Sequence, residues 1–312
     1  MNSKCRIVFM GTPAFAAGIL NGLLTICKPI LVITQPDRPA GRGMKIKVAE
    51  AKRVAMEHNI EVFSPENINS DEVIEFISKK GFDLILVAAY GKILSQRFLD
   101  VNGKCIFNIH ASLLPKYRGP APINWAIING DEKTGITFQK VVYKLDSGDI
   151  VLKREIPILR EDNAEILHDK LVKLACEMLP EFIERFESGT LVYEKQDESL
   201  ATYAPVLKKE DGRLDFNKSA IELFNRIRGL NPWPSTFTYY KGSLIKVLAA
   251  DVYEVHNPSA PGTIIESSER GIFVATGEGV LIIKRLQKEG RNPLDVKDFL
   301  TGTRILPGER FD

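Results

Sequence analysis

Short β-branched, apolar runs at Arg6–Met10, Ile30–Thr34, Phe82–Ala88 and Cys105–Ile109 alternate with helical periodicity at Pro13–Leu24, Val48–His58 and Asp71–Lys80. This alternation constrains the fold more than any other feature. Strands that are apolar on both faces need cover on both, and parallel neighbours need a crossover of helical length. The chain is therefore expected to open as an α/β domain with a mostly parallel sheet. Thr12 is expected as the N-cap of the first helix, with Pro13 at its first position. Gly135–Val142 and Ile150–Ile156 read as an antiparallel addition, followed by a helix from Ala164 to Ser188.

The pattern changes after Gly189. Residues 190–206 have weak periodicity and read as a linker. A helix at Ser219–Arg228 precedes short strands near Thr236–Tyr240, Leu244–Val252, Gly262–Glu266, Ile272–Thr276 and Val280–Leu286. Their spacing is that of a small β-barrel. The expected division is 1–189, linker 190–206, and 207–312.

With 44% hydrophobic and 26% charged residues, collagen, disordered and coiled-coil classes are excluded. Cys5, Cys27, Cys105 and Cys176 form no CxxC pair, so reduced thiols are expected. Ile7 to Cys27 carries no charge and imitates a secretory signal, but Gly11-Thr12-Pro13 breaks the apolar run after four residues. No other stretch approaches a membrane span, and a cytoplasmic location is expected. The net charge of +2 hides an uneven distribution. Residues 1–53 hold nine Lys/Arg against two Asp/Glu, whereas 54–205 hold seventeen against twenty-four. A basic N-terminal stretch beside an acidic middle points to an anionic partner on one face.

Phosphate-loop and dinucleotide fingerprints are missing: Gly11 lacks their companion glycines, and Gly41-Arg42-Gly43 falls in a loop. The segment from Phe107 to Pro115 is denser in chemistry. On a strand, Asn108 and His110 point to one side, at the carboxyl end where open α/β sheets bind ligands. A histidine acting as acid or base needs a carboxylate to orient it. Asp146, in a turn between two strands, is the candidate, with Asp149 its rival. An amide and an imidazolium beside a carboxylate suit a developing oxyanion on a carbonyl substrate. A Ser-His-Asp hydrolase built on Ser112 competes, but no G-x-S-x-G elbow surrounds that serine. Four scattered histidines without HExxH argue against a metal.

Asn108-x-His110 running into Ser112-Leu113-Leu114-Pro115-Lys116-Tyr117-Arg118-Gly119, with Leu145-Asp146-Ser147-Gly148-Asp149 downstream, resembles the signature of formyltransferases that use 10-formyltetrahydrofolate. Narrower motifs resemble the branch of that family that formylates methionyl-tRNA. They are Gly11-Thr12-Pro13-x-Phe15-Ala16, the run from Gln35 to Gly43, Asn231-Pro232-Trp233-Pro234, and Leu286-Gln287 followed by Phe299-Leu300-x-Gly302. The resemblance covers nearly the whole chain.

It implies a Rossmann-like catalytic domain followed by an oligonucleotide-binding-like β-barrel. It also implies a catalytic trio of Asn108, His110 and Asp146, and a folate-contacting turn of Ser112, Leu113, Leu114 and Pro115. Val87, Ala88, Ala89, Tyr90 and Gly91 resemble backbone lining the pterin pocket. The implied co-substrate is 10-formyltetrahydrofolate, with no metal, and the partner is initiator methionyl-tRNA, with no membrane or obligatory protein partner.

The loop from Pro36 to Lys47 carries Arg38, Arg42, Lys45 and Lys47 against Asp37 alone. Its prolines and glycines disfavour helix and ladder pairing. A mobile loop touching the tRNA acceptor stem is expected, with Arg42 as principal contact. In the C-terminal part Arg226, Arg228, Lys284, Arg285, Lys288 and Arg291 are expected to track phosphates as a group, with Arg285 and Lys288 the leading candidates. Three rival readings remain: an amino-sugar-nucleotide formyltransferase, a formyltetrahydrofolate hydrolase, and a catalytically silent RNA-binding module. The first would need the trio but no basic loop or nucleic-acid barrel, the second would use water as acceptor, and intact Asn108, His110 and Asp146 argue against the third.

Overall fold

The computed structural model describes residues 4–40, 45–253, 255 and 258–312. Its N-terminal strands are β1 (Ile7–Gly11), β2 (Leu31–Ile33), β3 (Arg38–Ala40), β4 (Lys45–Lys47), β5 (Val62–Phe63), β6 (Leu84–Ala88), β7 (Ile106–His110), β8 (Lys133–Lys140) and β9 (Ile150–Pro157). Seven of these form one sheet in the order β5-β2-β1-β6-β7-β8-β9. β5, β2, β1, β6 and β7 are parallel, and β8 runs antiparallel to β7. Every residue of β1, β2 and β6 is buried, as continuous apolar strands in a doubly covered sheet should be. Strand order reverses between β1 and β6, which places a crevice at the carboxyl ends of the central strands.

The helices that precede residue 190 are α1 (Ala14–Leu24), α2 (Glu50–Glu57), α3 (Asp71–Lys79), α4 (Gln96–Asn102), α5 (Pro122–Ile128) and α6 (Ala164–Glu187). On one face Val8, Met10, Leu31, Ile33, Ile85 and Ile106 pack with Ile74, Ile77 and Phe98 of α3 and α4. On the other, Phe107 and Phe138 meet Phe182 of α6, with ring centroids 5.3 and 4.8 Å apart. Full burial of each such ring contributes about 1.5–3 kcal/mol. The glycines that dilute the apolar run before Cys27 have a packing reason. A Cβ at Gly18 would come within 2.5 Å of Val172, and one at Gly22 would collide with Cys176, so both permit close approach of α6.

Two local expectations need correction. Helix α1 begins one residue later than expected, with Pro13 at the cap position and no side-chain cap. The Thr12 hydroxyl instead donates to the Tyr90 carbonyl at 3.2 Å and accepts from the Gln35 amide at 3.2 Å. It ties together the carboxyl ends of β6 and β2 rather than the helix start. The loop from Pro36 to Lys47 contains a short hairpin, with Arg38↔Lys47, Pro39↔Ile46 and Ala40↔Lys45 in register. A three-residue ladder tolerates a proline at an edge, so composition alone misjudged its backbone. α4 was unanticipated, although Ser95 accepts from the Phe98 amide as a recognisable N-cap.

The chain divides into two compact units, 1–122 with 134–156 and 168–205, and 123–133 with 157–167 and 206–312. Residues 190–205, expected as linker, thus cluster with the first unit, and two short segments before Gly189 cluster with the second.

In the second unit the elements are α7 (Ala220–Leu230), β10 (Thr236–Tyr240), β11 (Ser243–Tyr253), β12 (Ile264–Ser268), β13 (Gly271–Ala275), β14 (Val280–Lys288), β15 (Leu294–Asp295) and α8 (Val296–Thr301). α7 opens with a reciprocal capping box between Ser219 and Glu222. The strands run β10-β11-β14-β13-β12, with β15 beside β14. Each of these pairs is antiparallel. Among the described residues the sheet is not closed strand to strand. Instead, residues 309–312 lie between the two end strands: the Asp312 amide donates to the Tyr239 carbonyl of β10 at 3.0 Å, and the Ile264 amide of β12 donates to the Glu309 carbonyl at 2.8 Å. Inside sit Leu223, Ile227, Ile245, Val247, Ile272, Leu281, Phe299 and Phe311.

Candidate active site

The site grows from β7 and β8. In their register Asn108 lies opposite Gln139 and His110 opposite Thr137, so four polar side chains share one face at the carboxyl end of an otherwise apolar strand. Thr137 is fully buried. Its hydroxyl donates to the Ser112 carbonyl at 2.6 Å and accepts from the Leu114 amide at 3.2 Å. The Ser112 hydroxyl donates to the Lys116 carbonyl at 2.6 Å and is fully buried. These bonds set the course of the Ser112–Pro115 turn, and they leave Ser112 poorly placed as a nucleophile.

Asp146 is the acid that reaches this face. Its Oδ2 accepts from the Gly119 amide at 2.9 Å and lies 3.7 Å from His110 Nδ1. Its Oδ1 accepts from Gln139 at 3.0 Å and from Asn108 at 3.4 Å. At Gly119, φ is +117°, and a Cβ would sit 2.7 Å from the Ala204 carbonyl, so only glycine brings that amide to the carboxylate. His110 is buried, with Nε2 2.8 Å from the Tyr117 carbonyl. A carbonyl only accepts, so Nε2 carries a proton and Nδ1 is the nitrogen that faces Asp146.

Backbone strain gathers here. Among the described residues six non-glycine residues have positive φ, and Ala89, Tyr117 and Asp146 are three of them. Such conformations cost about 1–3 kcal/mol each and tend to cluster at functional sites. Val87 pairs directly with Asn108, so the 87–91 segment follows the strand next to the trio. Val87, Ala88 and Tyr90 are buried, and Ala89 is exposed. Burial pushes the Tyr90 phenol up to about 12. Gly91 has φ +79° and approaches Gln35, whose amide donates to the Tyr90 carbonyl at 2.8 Å.

Three residues of this region escaped the sequence reading. Gln139 and Thr137 carried a usable signal, polar residues two apart within an apolar strand. Gln196 carried none. It lies in the expected linker, yet its Nε2 donates to the Asp146 carbonyl at 2.9 Å and the Gly148 carbonyl at 2.8 Å. Among the described residues no group of three His, Cys, Asp or Glu is placed to hold a metal.

The residues expected to meet nucleic acid are spread over both units. Arg38 is exposed on β3. Lys45 and Lys47 contribute to β4, whose backbone is described, and Arg42 lies outside the described residues. Arg285 is exposed on β14, 3.9 Å from Asp295, and Lys288 sits over the Phe299 ring at 5.6 Å. Two other cations turn inward. Arg226 donates to the Asp211 carbonyl, and Arg228 donates to the carbonyls of Leu159 and Asp162. Burial holds the Arg228 guanidinium below the usual arginine range.

Residues 5–183 match the family model described as formyl transferase, and residues 206–304 match the formyl transferase C-terminal domain. The methionyl-tRNA formyltransferase of Geobacter sulfurreducens is 43% identical over 98% of this chain and 96% of its own. That of Caldanaerobacter subterraneus is 43% identical over 97% of this chain and 98% of its own. The chain belongs to the methionyl-tRNA formyltransferase family. More distant solved structures share the fold. An N-formyltransferase from Helicobacter canadensis, crystallised with folinic acid and dTDP-3-aminofucose, superposes with a TM-score of 0.66 at 18% identity, covering 91% of this chain and 99% of its own. Glycinamide ribonucleotide transformylase 1 from Symbiobacterium toebii covers 62% of this chain and 94% of its own, with a TM-score of 0.51 at 23% identity. Among the described residues no helix is long and apolar enough to cross a membrane.

Proposed function

We propose that this chain transfers the formyl group of 10-formyltetrahydrofolate to the α-amino group of methionine on initiator methionyl-tRNA, in the cytoplasm, for translation initiation. The observation that carries this reading is the meeting of Asn108, His110 and Asp146 at one carboxyl-end face in a chain 43% identical, end to end, to a methionyl-tRNA formyltransferase.

In this reading the neutral methionyl amine attacks the formyl carbon, and the carbonyl oxygen takes up charge. Asn108 Nδ2, whose bond to Asp146 is long at 3.4 Å, retains hydrogen-bonding capacity for that oxygen. The protonated Nδ1 of His110 is the second donor. Asp146 holds the charged imidazole and receives the amine proton, directly or through a water. The new N–C bond forms, the bond from the folate nitrogen to the formyl carbon breaks, and Asp146 passes the amine proton on to the folate nitrogen through His110 or a water, so charge balances across the transfer. Attacking and leaving nitrogens are alike, and positioning therefore contributes as much as acid–base chemistry.

The turn Ser112, Leu113, Leu114 and Pro115 and the segment Val87, Ala88, Ala89, Tyr90 and Gly91 would hold the folate. Arg38, Arg42, Lys45, Lys47, Arg285 and Lys288 would meet tRNA phosphates. The test is formyl transfer with purified protein, 10-formyltetrahydrofolate and charged initiator tRNA, reading both formylmethionyl-tRNA and free tetrahydrofolate. Folate release without tRNA formylation would favour the hydrolase instead. Formylation of an amino-sugar nucleotide in preference to tRNA would replace the acceptor.

A further inference from the structure

The segment 196–204 clamps the candidate site from outside the sheet. Arg118 and Ala204 are joined through the Ala204 amide and the Arg118 carbonyl at 2.8 Å, and the Arg118 amide donates to the Thr202 carbonyl at 2.9 Å. The Tyr117 amide donates to the Thr202 hydroxyl at 2.9 Å. This isolated bridge between Arg118 and Tyr203 fixes the course of residues 117–119, which carry the carbonyl bound by His110 and the amide bound by Asp146.

Gln196 joins that clamp to the Asp146 turn. Its Oε1 accepts from Arg118 Nε at 3.1 Å and Nη2 at 2.8 Å. A guanidinium only donates, so the amide orientation is determined and Nε2 must face the other way. There it donates to the carbonyls of Asp146 and Gly148, with Gln139 Oε1 3.2 Å away. Arg118 is itself immobilised: its side chain is fully buried and grips Glu198 at 2.9 Å, which Lys144 holds at 2.6 Å. Asp146 has φ +47°, a conformation that persists only where surroundings over-determine it.

Resting on the catalytic assignment of Asp146 above, we infer that Gln196 is a positioning residue for that carboxylate. By bonding the carbonyls on both sides of Ser147, it holds the turn in the left-handed conformation that aims Asp146 at Gly119, Gln139 and His110. The segment that reads as a linker in sequence is thus part of the catalytic apparatus, acting through Arg118 and Gln196 without touching substrate.

The test uses the full chain with Gln196→Met, Gln196→Glu and Asp146→Asn, and the double variant Gln196→Met/Asp146→Asn. Turnover is normalised to folded protein by circular dichroism. Gln196→Met is expected to lower kcat about 10–100-fold, the scale of a misplaced catalytic group. KM for folate and for charged tRNA should stay within about threefold, since only transition-state contacts are lost. Gln196→Glu keeps the acceptor toward Arg118 but loses the donor, and kcat should fall as it does in Gln196→Met. Because Gln196 acts through Asp146, the double variant should be no more than about twofold slower than Asp146→Asn alone. Unchanged kcat in Gln196→Met beside an inactive Asp146→Asn would overturn the positioning role and leave the assignment of Asp146 intact. Multiplied losses in the double variant would also overturn it. Full turnover in Asp146→Asn would overturn the underlying assignment instead.

Discussion

His110 Nδ1 lies 3.7 Å from Asp146 Oδ2, while the opposite ring nitrogen is committed to the Tyr117 carbonyl at 2.8 Å. The imidazole is thus anchored at one end and left open at the other, with a carboxylate beside the open end. A separation of 3.7 Å is too long for a hydrogen bond and short enough for an ion pair. In the proposed transfer the developing oxyanion would share the Nδ1 proton. His110→Ala and Asp146→Ala are each expected to lower turnover about 10²–10⁴-fold, with substrate affinities far less affected. Asn108→Ala should cost about 10²–10³-fold, as loss of an oxyanion donor does. Single-turnover formylation with saturating substrates reads the effect on chemistry, and retention of more than about a tenth of wild-type rate would remove that residue from the trio.

Much of this face was legible before any coordinates. Asn108 and His110 are two apart on a strand, and strand geometry alone puts them on one side. The choice between Asp146 and Asp149 was not legible, because one turn carries both acids and only the φ of +47° at Asp146 aims that residue inward. Gln196 was invisible for a different reason. Residues 202–204 pair through backbone with the irregular stretch after Pro115, so no hydrophobic periodicity marks them. The basic hairpin at 38–47 was read as unpaired because Gly and Pro signals outweigh a three-residue ladder. The barrel strands of the second unit were placed from alternation and turn spacing, but the role of residues 309–312 between β10 and β12 depends on long-range pairing that no local pattern encodes.

Acid should loosen the clamp around Arg118. Its hydrogen bond, and then that of Lys144, hold the Glu198 carboxyl down to about 2 from the ordinary 4.5. A depressed carboxylate contributes stability that is fully present above its unfolded value and is lost as pH falls through the folded value. The loss therefore belongs between about pH 4.5 and 2. Glu198→Gln should flatten the decline of the melting temperature across that window. Glu198 is exposed, so the difference should shrink as salt rises. Equal pH dependence in the variant and the wild type at low salt would show that the pair contributes nothing.

The contact between α1 and α6 sets two magnitudes against each other. Replacing a mid-helix glycine by alanine normally gains about 1 kcal/mol of helix propensity. At Gly22 the added Cβ would collide with Cys176, and overpacking costs about 1–3 kcal/mol. The second effect should win, so Gly22→Ala lowers stability in denaturant titration. Adding Cys176→Ala removes the sulfur and should restore part of the loss. A more stable Gly22→Ala chain would mean that the helices separate freely.

The final prediction separates surface cations from structural ones in the second unit. Arg285 is exposed, and it lies 3.9 Å from Asp295, a surface ion pair worth about 0–1 kcal/mol. Exchanging that partner for a phosphate therefore costs little. Lys288 holds its ammonium over the Phe299 ring at 5.6 Å, a contact worth about 0.5–1 kcal/mol at an exposed site that a phosphate could replace. If both contact tRNA, the Arg285→Ala/Lys288→Ala chain should bind charged initiator tRNA more weakly, with the slope of log affinity against log salt reduced by about one per contact removed. Folate KM should not move. Arg228→Ala should behave differently, because that guanidinium donates to the Leu159 and Asp162 carbonyls. Removing it strips a donor from the part-buried Asp162 carbonyl, a loss of about 0.5–1.5 kcal/mol, so stability should fall while the salt slope stays put. An unchanged slope in the Arg285/Lys288 variant would take this face of β14 out of the tRNA contact.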